Sequence, residues 1–236
     1  MMASGRRSYP VFVVLTRPIL AVVTQGALAL VLRSAHVEKP WRSAGHYWTV
    51  YGTLIDIGCI ALVARLVRRE GGSLLELVGF DRRRIAHDLL LGLLFGLLIV
   101  AAAIAGGAVA HAIVGPQPTP IGPMPFAGVV YSVFVWPVVW GFAEQLTYQG
   151  YALPRFVALT KRPWLAIILV GIPWTLQHAA LPLVWDSDFA ISRVVSTLPV
   201  GLVLMPIFLR TRRLLPFVVG HWLADALGVA MSTLGR

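Results

Sequence analysis

Seven long apolar stretches divide this chain, separated by short polar segments that are mostly basic. They cover about Tyr9–Leu32, His46–Val67, Ala86–Val114, Phe126–Leu153, Pro163–Leu181, Phe189–Leu209 and Leu214–Leu234. About 20 apolar residues carry a helix across a hydrocarbon core of about 30 Å, so each stretch is long enough to span a bilayer. The pattern predicts an all-α polytopic membrane protein with about seven transmembrane helices. We expect a single transmembrane domain over residues 1–236, with a motif-bearing core at about 126–234 and no internal repeat. The first stretch is too long for the apolar core of a typical signal peptide and is read as a retained helix. Arg17 lies inside it, where a long side chain is expected to snorkel to the near interface. Ser73–Phe80 is short, apolar on one face and followed by Asp81-Arg82-Arg83-Arg84, which predicts a short interfacial helix. The segment 115–125 holds Pro116, Pro118, Pro120, Pro123 and Pro125 and is expected to be a non-helical external loop.

Composition narrows the class. Hydrophobic residues make up 58% of the chain and charged residues 13%, about half the soluble norm. That leaves too little polar surface to cover a soluble core. The net charge is +10, but the basic residues cluster between apolar runs. This fits orientation in a membrane better than nucleic-acid binding. Arg65, Arg68, Arg69, Arg82, Arg83 and Arg84, then Arg155, Lys161 and Arg162, then Arg210, Arg212 and Arg213 fall on one side. The other side carries Asp186 and Asp188, against Arg33, Lys39 and Arg42. The balance predicts a cytoplasmic N-terminus and an external C-terminus. Arginine outnumbers lysine 18 to 2, which points to a GC-rich bacterial genome and a bacterial cytoplasmic membrane. The one cysteine, Cys59, excludes an intramolecular disulfide and a CxxC metal site.

Ionisable groups are costly in hydrocarbon, so each one inside a span is a functional candidate. The candidates are Asp56, His111, Glu144, His178, His221 and Asp225. Glu144, Tyr148 and Tyr151 stand at i, i+4 and i+7, the spacing of one helical face. Gln145 and Gln149 form an i, i+4 pair on the neighbouring face. His178 follows Trp174 by one turn, and His221 and Asp225 are again i, i+4. At a rise of 1.5 Å per residue, Glu144, His178, His221 and Asp225 lie about 10–22 Å from the same side, close enough in depth to meet. A polar network that only glues helices together accounts for any one of these motifs alone. Asp56 and His111 stand alone on their helices and are expected to be network or cavity residues.

Three segments, in this order, resemble the CPBP family of intramembrane proteases, which takes in CAAX proteases and bacteriocin-processing or immunity proteins. The family pattern is Glu-Glu-x-x-x-Arg, then aromatic-x-x-x-His, then His-x-x-x-Asn or Asp, each on its own span. Here they read Glu144-Gln145-Leu146-Thr147-Tyr148-Gln149, Trp174-Thr175-Leu176-Gln177-His178 and His221-Trp222-Leu223-Ala224-Asp225. The likeness runs from about Gly141 onward. It implies that Glu144 and His178 activate a water, while His221 and Asp225 hold the scissile carbonyl and its oxyanion. Amide hydrolysis needs such a base, an acid for the leaving amine and donors for the developing charge. Gln145, Tyr148, Gln149 and Trp174 are then supporting residues. Two positions depart from the pattern: Gln145 replaces the second glutamate and Gln149 the arginine. Both charges are absent together, and the two glutamines are expected to bond each other across one turn. A protonated Asp225 donates as asparagine would.

The resemblance implies an intramembrane endopeptidase that hydrolyses a peptide bond in a membrane-associated peptide or protein. The expected site is a cavity between spans four, five and seven. Its partners would be that substrate and the lipid bilayer, with no nucleic acid. No cofactor is expected. Zinc held by Glu144, His178, His221 and Asp225 is the alternative, although no HExxH is present. Two other functions stay open: a non-proteolytic scaffold or immunity protein on the same fold, and a small proton-coupled transporter. The lack of an internal repeat weighs against the transporter.

Overall fold

The computed structural model describes residues 9–118, 122 and 125–234; Pro120 and Pro123 of the expected proline loop lie outside the described residues. Among the described residues, seven helices are long and apolar enough to cross a membrane: Tyr9–Ser34, Trp48–Arg69, Ile85–Val114, Phe126–Thr160, Pro163–Ala180, Ser187–Thr211 and Leu215–Leu234. We number them as spans one to seven. The chain is an all-α integral membrane protein. Its outer face agrees: Leu30, Leu97 and Ile104 are about two-thirds exposed. Water would penalise such a surface, but lipid does not.

Span three packs along spans six and seven, span six along span five, and span four against spans two and seven. Span one lies on spans two and five. The contact of spans three and seven depends on glycine. A Cβ at Gly220 would stand 2.8 Å from the Gly96 nitrogen and 2.9 Å from the Gly92 oxygen, so the two backbones touch there. Small residues allow this approach and let packing act over short range. His221 is the next residue, so this contact sets its depth and direction.

A short helix forms over Leu74–Val78, within the stretch where one was expected. Ser73 caps it and accepts from the Glu76 nitrogen, while Glu76 accepts from the Ser73 nitrogen, a reciprocal capping box. Gly79 ends it in the left-handed region at φ 66, where a side chain would strain the backbone. The Leu214 nitrogen then donates to the Val78 carbonyl, tying this helix to the start of span seven.

Two expectations fail on local geometry. Span four is not a regular helix: Tyr131–Val135 and Leu146–Ala152 are π-helical. Each lies just before a proline, Pro137 or Pro154, whose missing N–H breaks the regular ladder. The wide turn after Gln145 shifts the register, so Glu144, Tyr148 and Tyr151 do not work as one face. The Tyr148 hydroxyl donates to the Val14 carbonyl in span one, and the Tyr151 hydroxyl to Glu70 Oε1. Arg17 does not snorkel either. It is 2% exposed and lies inside the bundle, paired with Asp56 of span two. A partner of opposite charge within the bundle makes the inward rotamer the better one.

Candidate active site

The site begins with Glu144, fully buried at the end of the regular helical part of span four. Both its oxygens accept from span five. Trp174 Nε1 donates to Oε1 at 2.5 Å, and Gln177 Nε2 donates to Oε2 at 2.7 Å. Trp174, Gln177 and His178 fall within about one turn, so all three reach the same region of the bundle. His178 Nδ1 lies 2.9 Å from the Trp174 carbonyl. A carbonyl only accepts, so Nδ1 carries the proton and Nε2 is left as an acceptor. Nε2 stands 3.8 Å from Glu144 Oε2. The Trp174 and His178 rings lie 4.6 Å apart, which holds the imidazole from its side.

Span seven closes the site from the opposite side. His221 Nδ1 is 3.4 Å from Glu144 Oε1 and 2.7 Å from the Gln145 amide nitrogen. With that amide donating, the His221 proton sits on Nε2. Nε2 lies 3.4 Å from Asp225 Oδ2, whose side chain is 23% exposed. Glu144, His178 and His221 therefore meet directly, and Asp225 joins through His221.

The two glutamines do not pair. Gln145 turns to His221, while neither polar atom of the buried Gln149 side chain has a hydrogen-bond partner among the described residues. His111 is exposed near the end of span three, apart from this cluster. Asp56 reaches it indirectly through Arg17, whose Nη1 is 2.6 Å away. Arg17 Nε in turn donates to Gln177 Oε1 at 2.7 Å, and the guanidinium lies 4.4 Å over the Trp140 ring.

Two neighbours of Glu144 and His178, Gln177 and Arg193, were not singled out in the sequence, and Arg17 was expected at the interface rather than here. Gln177 had a signal, since an amide inside a span needs a partner. Arg17 and Asp56 are opposite charges on separate spans, and each implied the other. Arg193 of span six also belongs here: its Nε donates to the His178 carbonyl at 3.0 Å.

Among the described residues, no group of three or more His, Cys, Asp or Glu side chains is arranged to hold a metal ion. Glu144 Oε1 and Oε2 accept from Trp174 and Gln177, and His178 Nδ1 donates to a carbonyl, which leaves His178 Nε2 as its open ring nitrogen.

Residues 126–227 match the family model described as type II CAAX prenyl endopeptidase Rce1-like. This match contains all three motifs, and it is the protease family that they resemble. No curated protein and no solved structure matches the chain.

Proposed function

We propose, from the endopeptidase family match over spans four to seven, that this chain is an intramembrane endopeptidase. Its substrate is a membrane-associated peptide or protein. The observation that carries the reading is Glu144, a buried carboxyl facing one histidine on span five and another on span seven. The 3.8 Å between Glu144 Oε2 and His178 Nε2 is too long for a direct bond. It suits a water that donates one hydrogen bond to each acceptor and turns its lone pair to a carbonyl. Glu144 takes the proton as the water attacks, and returns it to the leaving amine. His221 Nε2–H donates to the developing oxyanion, with Asp225 beside it. Gln145 supports that role by occupying Nδ1. The N-terminus faces the cytoplasm in this reading, and no metal takes part.

Purified protein in detergent, incubated with a library of transmembrane peptides, tests the proposal. Cleavage is expected for the natural chain. Glu144→Gln should abolish it with thermal stability near that of the parent, and His178→Ala should be nearly as damaging. Unchanged turnover in Glu144→Gln would overturn the mechanism. A folded parent that cleaves nothing would favour a scaffold or immunity role.

A further inference from the structure

We propose that Arg17, on span one and outside the family-matched segment, is a positioning residue for Glu144 that acts through Gln177. This rests on the reading of Glu144 as the catalytic carboxyl. A guanidinium has donors only. Its Nε at 2.7 Å from Gln177 therefore requires the amide oxygen to face Arg17. The amide nitrogen must then face Glu144 Oε2, also at 2.7 Å. Without Arg17, the Gln177 amide oxygen loses its donor, and Glu144 alone is left to set which way the amide turns. Arg17 itself is held on three sides: by Asp56, by the Trp140 ring and by Gln177. The line Asp56–Arg17–Gln177–Glu144 thus runs through spans two, one, five and four. It brings the first two spans, which carry no family motif, to bear on the reacting group.

A simpler role is that the Arg17–Asp56 pair only joins spans one and two. The two roles differ in what Glu144 senses. The test is the infrared carboxyl band of Glu144, identified in detergent as the band lost in Glu144→Gln. It is paired with kcat and KM on a peptide the natural chain cleaves. The key variant is Arg17→Met with Asp56→Asn, which removes both charges and leaves Gln177 and Glu144 in place. The band should shift, and kcat should fall about 10²-fold at unchanged KM, the scale of a lost positioned donor. Gln177→Met, which keeps the ion pair, should shift the band and lower kcat in the same way. Arg17→Lys keeps the charge opposite Asp56 but loses the second donor edge, and it should also move the band. A variant of Arg17 that loses thermal stability while band and kcat hold would overturn the proposal. If the natural chain cleaves no peptide, the protease reading fails, and the band alone still decides whether Arg17 orients Gln177.

Discussion

Gln149 and Gln145 look alike in sequence and differ in structure, because only one has a partner. Gln149 buries an amide with neither end bonded. Leaving a buried polar group unpaired costs about 1–3 kcal/mol, whereas an apolar side chain of similar shape avoids that cost. Gln149→Met should therefore hold or raise thermal stability in detergent by about 1 kcal/mol. Gln145 and Gln149 do not touch through hydrogen bonds, so replacing both by leucine should give effects additive within about 0.5 kcal/mol in a double-mutant cycle. A larger coupling would mean that the side chains meet after all. Asp225 calls for a different measurement. An asparagine keeps its shape and supplies the donor that a protonated carboxyl would. Asp225→Asn should retain substantial peptide cleavage that resists chelators. Cleavage lost on chelation and restored by zinc would move Glu144, His178, His221 and Asp225 to a metal site.

Helix contacts carry the site at the next scale. Span seven owes its position to the close passage of Gly220 over Gly92 and Gly96. A methyl group at Gly220 meets backbone, which cannot swing away as a side chain can. Gly220→Ala should push the two helices apart, lowering stability by about 1–3 kcal/mol. It should also reduce turnover, because His221 moves with its helix. Gly228 lies two turns further on the same span with open space around it. Gly228→Ala should leave both unchanged or slightly raise stability, since alanine favours the helix. Equal effects at the two glycines would show that the close contact does not govern the site. The π-helical turns of span four act at this scale too. They follow from Pro137 and Pro154, and they turn Tyr148 and Tyr151 toward span one and Glu70 rather than toward one common face.

Across the whole molecule, the buried Arg17–Asp56 pair ties spans one and two to the segment that carries the motifs. Removing one member leaves the other charged and unpaired inside the bundle. Arg17→Met alone should cost about 3–5 kcal/mol, and adding Asp56→Asn should recover most of that loss. Thermal unfolding of the two single variants and the double in detergent checks this. Additive losses would mean that the pair is not a unit.

The sequence by itself determined the seven spans, the short capped helix after span two, and the three motifs. These follow from short-range properties: apolar length against bilayer thickness, capping residues at fixed offsets, and helical spacing. It also made Glu144, His178, His221 and Asp225 visible, because a titratable group in an apolar run stands out against its neighbours. The tertiary structure decided which polar groups meet. Arg17 and Gln177 are 160 residues apart in the chain, and no local rule pairs them. The partition of Gln145 to His221 and Gln149 to none depends on the register of a π-helical turn and on how span seven leans on span three. Regular 3.6-residue spacing cannot foresee that turn, and only the packed bundle fixes which helix faces which.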